Sequence, residues 1–315
     1  MNNSKMFKAG AIVKIVLWGV VLIILCGILI SGLALGSFEN IGGFTVWNWE
    51  VYDDPESYTV GNCEYSDVVR DLDIDWHFGG SITVTVYDGD TVKVEETAHG
   101  EIEADDEMRV KLEDGRLTVK FRRSGMRFWA IAPKKDLTVS LPAECAGNIG
   151  EINIDSSSST TQITGITASN AEIDTASGDF YMTDCIVETV EIDSASADAE
   201  LIGKYGFIEI DTASGDCVIK GQVRSVDFDG ASGSCTMELN QLPEQLTADC
   251  ASGSVRLNAP IGDGFKADID AASGKGYVEY ADGNKMSGDE LVVGGGKYHY
   301  EMDFASGSFY FKEVG

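Results

Sequence analysis

Residues 172–179 read EIDTASGD, and near copies follow: EIDSASAD from Glu191, EIDTASGD from Glu209 and DFDGASGS from Asp227. Aligned on the central serine, the series runs Ser158, Ser177, Ser196, Ser214, Ser232, Ser252, Ser273 and Ser306, at intervals of 19, 19, 18, 18, 20, 21 and 33 residues. Such a period is too long for a hairpin strand and too short for a strand-helix-strand unit. It fits one coil of a β-solenoid, where each unit buries its apolar side by stacking on the next.

The residues inside each unit agree. Three positions before the alanine (Ser157 in the first copy) stand Ile154, Ile173, Ile192, Ile210, Phe228, Ala248, Ile269 and Met302, apolar in every copy. Past the corner, Phe180, Ala199, Cys217, Cys235, Val255, Gly276 and Phe309 form a second column, and Met182, Leu201, Ile219, Met237, Leu257, Val278 and Phe311 a third. Each column alternates with polar residues at a period of two, the mark of a half-buried strand. Between the strands, Ser-Gly is expected to turn the corner, with glycine supplying a positive φ. Ala197 replaces that glycine once, which predicts slight strain or a different bend there. The reading is an all-β chain whose residues 146–315 form a parallel β-helix of about 18–20 residues per coil, capped at the far end by residues 297–315. The long last interval is assigned to a glycine-rich loop or hairpin over residues 281–296.

The N-terminus is of another kind. After Lys5, Lys8 and Lys14, residues 15–36 carry no charge and are long enough to cross a bilayer as a helix. Basic residues 1–14 before the span and an acidic remainder after it predict a single-pass membrane protein, with a cytoplasmic N-terminus and an extracytoplasmic body. A cleaved signal peptide competes, because residues 31–36, SGLALG, offer small residues for cutting; the apolar run exceeds the usual signal core and favours an uncleaved anchor. The chain holds 52 acidic against 23 basic residues, a net charge of −29, and this excludes nucleic acid as a partner. Seven cysteines, one of them (Cys26) in the span, are odd in number and irregularly spaced, so they read as core residues rather than a disulfide framework. A bridge between Cys217 and Cys235 is the alternative, since equivalent positions stack.

Residues 37–145 are also β-like. SITVTVYDGDTVKVEETA from Ser81 and KLEDGRLTVKF from Lys111 alternate around Asp-Gly turns, and KDLTVSLP from Lys135 leads into the first coil. The segment is either a set of irregular early coils or a small β-domain. The order of YDGDTVKVE, EDGRLTVKF, DLTVSLP and the repeated ASGD corners resembles the DUF4097 family over residues 70–315, a family that carries an adhesin label and includes LiaG-like envelope proteins of Gram-positive bacteria. The resemblance implies a surface-exposed β-solenoid on a membrane anchor, among cell-envelope stress and adhesion-type proteins. It carries over no catalytic residues.

Function is sought on the outward positions. One residue after each inward apolar residue stands an aspartate: Asp155, Asp174, Asp193, Asp211, Asp229, Asp249, Asp270 and Asp303. Two residues earlier, on the same face, stand Glu172, Glu191, Glu209, Asp227, Asp268 and Glu301, broken by Asn153 and Thr247. Stacked carboxylates about 5 Å apart repel by a little under about 1 kcal/mol per pair in water. Relief comes from bulk counterions, from backbone hydrogen bonds at the corners, or from Ca²⁺ or a similar hard cation held between coils.

Enzyme chemistry finds little support. His77, His99 and His299 lack Cys or His partners at metal-ligand spacing, and no serine sits in a nucleophile elbow. A glycosidase needs one differentiated carboxylate pair, whereas the repeat writes the same acid on every coil. Trp47 and Trp49 read equally as interfacial or core residues. The expected function is a non-enzymatic, membrane-anchored solenoid that presents an acidic face to an envelope polymer or surface protein. The alternative is a regulatory accessory of an envelope-stress response, acting through a membrane partner.

Overall fold

A computed structural model describes residues 48–50, 52–127 and 133–314. The membrane span expected at residues 15–36 and Trp47 lie outside the described residues, among which no helix is long and apolar enough to cross a membrane. The chain divides into two units. In the smaller one, Asn48–Glu50 pairs antiparallel with Gly125–Arg127.

The larger unit, residues 54–123 and 133–315, is a stack of β coils. Ile149–Ser156 lies parallel to Thr167–Thr175, and the pairing continues through Phe180–Ser194, Ala199–Ser214, Cys217–Ser232 and Gln245–Ala259. Each residue meets its equivalent one repeat on: Ile154 with Ile173, then Ile192, Ile210, Phe228 and Ala248, all buried. Past the corner, Thr161, Phe180, Ala199, Cys217, Cys235 and Val255 align in the same way. A slip of one residue would turn every column outward, so burial itself holds this register.

The corner glycines serve mainly close approach rather than positive φ. A Cβ on Gly178, Gly215 or Gly233 would stand 2.0 Å from the carbonyl oxygen of the neighbouring corner, and on Gly253 1.8 Å. Among the corner glycines, only Gly215 and Gly274 lie in the left-handed region. Ala197 takes its corner without a positive φ. A second bend follows the second strand and takes left-handed backbone at Gly165, Asp184 and Gly221, but not at Gly203 in the coil between the last two.

Both ends of the stack depart from chain order. Asp71–Trp76 and Ser81–Tyr87 form the rung beside the first repeat, pairing Ile74 with Ile154 and Ile82 with Thr161. Beyond it lie Arg116–Lys120 and Lys135–Pro142, also parallel, and beyond those the antiparallel Arg109–Glu113 and Val92–Ala98. The far end mirrors this path. Tyr298–Glu313 inserts between Gln245–Ala259 and the pair Phe265–Ser273 with Gly276–Glu279. Residues 297–315 were expected to cap the far end; their strand is instead an internal rung. The outer edge is made by Lys285–Gly288 and Glu290–Val293, antiparallel to the Ser273 coil. The 33-residue interval measures a detour, out to the edge and back beneath it. Short antiparallel strands at each end blunt an edge that a parallel coil would leave open.

The entry end also holds a buried charge. Lys135, fully buried, donates from Nζ to Glu96 Oε2 at 2.7 Å, to the Asp106 carbonyl at 2.7 Å and to the Phe121 carbonyl at 2.5 Å, beneath the rings of Trp76 and Phe121. Its three ammonium protons are thereby all used. The described cysteines, Cys63, Cys145, Cys185, Cys217, Cys235 and Cys250, are free thiols. Cys217 and Cys235 stack in register as core residues, and the hydrogen bond from Cys217, with burial, pushes the Cys235 thiol up. Burial, then the neighbouring Cys235, pushes Cys250 up to about 12.

Candidate functional site: the acidic ladder

The in-register stack converts the repeat's outward acids into continuous columns. In spatial order the first runs Asp75, Asp155, Asp174, Asp193, Asp211, Asp229, Asp249, Asp303 and Asp270. Asp303 precedes Asp270 because the last strand of the chain is an inserted rung. Beside it runs Asp73, Asn153, Glu172, Glu191, Glu209, Asp227, Thr247, Glu301 and Asp268. Every acid singled out in the repeat therefore falls on one of two adjacent columns. Asp73 and Asp75 extend them into the segment before the repeat.

Electrostatics follow from this stacking. Among the described residues, none donates a hydrogen bond to the carboxylates of Asp155, Asp174, Asp193 or Asp211. Desolvation and then neighbouring acids push several carboxyls above their usual range: Asp155 beside Asp75, Glu172 beside Glu191, Asp193 beside Asp211, Glu209 beside Glu191, and Asp211 beside Asp227. A proton or a cation on these groups relieves the repulsion.

The aspartate after the corner glycine, or after Ala197 in its place, behaves differently. Asp179, Asp198 and Asp216 each accept the backbone N–H of the next rung, from Asp198 at 3.3 Å, Asp216 at 2.8 Å and Ser234 at 2.9 Å. Backbone bonding thus belongs to the corner acids, while Asp155 through Asp211 are left open to solvent or ligand.

Basic groups close the ladder at its ends. Lys120 stands where the next aspartate would be, and its Nζ lies 3.3 Å from Asp75 Oδ2. Arg116, on the same strand, donates to Glu151 Oε2 at 2.7 Å. Burial works to raise the Asp75 carboxyl, but the hydrogen bond and charge of His77, together with Lys120, outweigh it and hold Asp75 below the usual range. At the far end, His299 Nε2 lies 3.2 Å from Glu301 and 3.7 Å from Asp268. Near the Lys120 end the face sinks into a groove of about 220 Å³ lined by Asp73, Asp75, Lys120, Asn153, Asp155, Glu172 and Asp174.

Reading the repeat alone missed this end. The signal was present in DLDIDWHFGG from Asp71, which shares with EINIDSSSS the alternation that ends in Ile-Asp and a run of small residues beyond it. The two stretches lie far apart in the chain, so no period connects them.

Stacked coils, in-register columns and antiparallel ends define a single-chain parallel β-solenoid with an acidic face. The sequence profile of the Toastrack DUF4097 family matches residues 69–310. The chain belongs to this family. Among solved structures it is similar to a "putative adhesin" from Bacteroides fragilis, at 12% identity and TM-score 0.46 over 81% of this chain and 97% of that one. It is also similar to a "putative lipid binding protein" from Parabacteroides distasonis, at 14% identity and TM-score 0.41 over 79% and 95%. A "putative cell adhesion protein" from Clostridium sporogenes matches at 9% identity and TM-score 0.30 over 81% and 100%. No curated protein matches the chain.

Proposed function

We propose that this is a non-enzymatic contact protein, anchored by residues 15–36 with its body outside the cell, whose acidic face meets envelope polymers or another surface through bridging divalent cations. One observation carries the reading: the same carboxylate recurs on successive rungs in register, from Asp75 to Asp270. Rungs about 4.8 Å apart present a repeating surface. A repeating surface suits a repeating ligand, whereas catalysis calls for one differentiated pair of groups. Ca²⁺ takes six to eight oxygen ligands and accepts them from neighbouring carboxylates and from a second anionic molecule at once. Asp155, Asp174, Asp193, Asp211, Asp229, Asp249, Asp303 and Asp270, with Glu172, Glu191 and Glu209, are the groups that would hold it.

Co-sedimentation of the full chain with isolated envelope polymer tests the reading. Binding is expected in Ca²⁺, absent in a chelator, and lost from the Asp193→Asn, Asp211→Asn, Asp229→Asn triple variant. Equal binding by the wild type and the triple variant in chelator would refute it.

A further inference from the structure

Two positions after its aspartate, every repeat carries serine or alanine, from Ser157 and Ala176 onward. The rung before the first repeat breaks that rule, because His77 follows Asp75 there. An imidazole thus stands where the repeats carry only a small side chain. Donor atoms of Asp75, His77 and Asp155 all lie within 4.8 Å of one another, at the groove end of the ladder. Asp155 is the in-register neighbour of Asp75 across one rung, so the sheet itself holds two of the three donors side by side.

We propose that Asp75, His77 and Asp155 bind a divalent transition metal of the zinc class, with water completing its coordination. Mixed imidazole and carboxylate donors suit zinc and its first-row neighbours, whereas Ca²⁺ takes oxygen alone. The geometry needs little change. His77 Nε2 stands 2.6 Å from Asp75 Oδ1. On a tetrahedral zinc with bonds of about 2.0–2.1 Å, neighbouring donors are about 3.3 Å apart, so His77 and Asp75 open by under about 1 Å and Asp155 closes by up to about 1.5 Å. Lys120 holds the other oxygen of Asp75, Oδ2, at 3.3 Å and leaves Oδ1 to the metal. A separate feature points to a ligand here: Asn153 Oδ1, shut off from solvent and without a hydrogen-bond partner, lines the same groove. It is an acceptor to which a metal-bound water can donate. The site stands whether or not the ladder above it holds Ca²⁺.

Calorimetric titration of the metal-free full chain in detergent with Zn²⁺, and separately with Ca²⁺, tests this. One equivalent of Zn²⁺ is expected to bind, and His77→Ala and Asp155→Asn are each expected to weaken it at least about tenfold, the scale on which even outer-shell partners of a metal count. The Asp211→Asn, Asp229→Asn variant should leave that equivalent unchanged, which separates this site from the ladder. Lys120→Met removes a competing cation from Asp75 and should tighten Zn²⁺ binding. Titration with Co²⁺ gives a second readout, a visible absorption band of the nitrogen-ligated ion that His77→Ala abolishes while circular dichroism stays unchanged. Zn²⁺ binding that is absent, or that His77→Ala leaves intact in a folded chain, overturns the proposal.

Discussion

Asp193 lies between Asp174 and Asp211, one rung away on either side, and desolvation followed by those two charges pushes its carboxyl up. Asp211 is raised in the same way, by burial and then by Asp227 and Glu191. A raised folded-state value means that, between the unfolded pKa of about 3.9 and that value, the folded chain binds more protons than the unfolded one. Stability then falls as pH rises through that window, the reverse of Asp75, whose lowered carboxyl stabilises above the unfolded pKa and loses that contribution on acidification. The Asp193→Asn, Asp211→Asn variant should therefore be more stable than wild type at neutral pH in chelator, with the difference shrinking as pH falls toward about 4. Urea denaturation at several pH values measures it, and a difference that does not change with pH would contradict the assignment. These acids were legible in the sequence because the repeat writes them at one outward position. The different role of Asp198 and Asp216 was not, because a hydrogen bond to the next rung's N–H depends on corner geometry that letters do not carry.

At the scale of the element, the corner and the buried lysine make separate demands. Gly233→Ala would drive a Cβ to 2.0 Å from the Gly215 carbonyl oxygen. Overpacking of this kind should cost about 1–3 kcal/mol. Gly100→Ala, with nothing within 4 Å of the added carbon, is the control and should stay within about 0.5 kcal/mol of wild type. Lys135→Ala leaves the Glu96 carboxylate buried without its cation, and should cost about 3–5 kcal/mol by thermal or urea unfolding. Lys135→Met with Glu96→Leu should recover part of that loss, because it removes both charges. The Ser-Gly corner announced itself by repetition. The second bend did not, because Gly165, Asp184 and Gly221 share a backbone conformation but not a residue type. Lys135 was quoted as part of a strand, KDLTVSLP, and alternation alone cannot say that a lysine at its start points inward.

At the scale of the molecule, the columns of the repeat predicted the stack of coils, while the order of the rungs at either end was hidden. Sequence order is a good guide to spatial order only while the chain advances one coil at a time. At both ends it runs to the edge and returns, and Tyr298–Glu313 becomes a neighbour of Gln245–Ala259, which an unbroken march would have placed next to Phe265–Ser273. Deleting residues 297–315 should therefore do more than remove a cap. It leaves the Ser273 coil without the rung it rests on, so hydrogen exchange should show residues 265–293 losing protection together, with a smaller urea m-value for the whole chain. Retained protection across residues 265–293 would mean that this coil can dock directly on Gln245–Ala259.

The central claim is that the ladder from Asp75 to Asp270 is built to hold divalent cations. Isothermal titration of the full chain in detergent with millimolar Ca²⁺, beside its melting temperature, tests that most directly. Several equivalents of Ca²⁺ and a rise in melting temperature are expected, both diminished in the Asp193→Asn, Asp211→Asn, Asp229→Asn variant. No heat and no rise in melting temperature would contradict the claim and leave the carboxylates to bulk counterions.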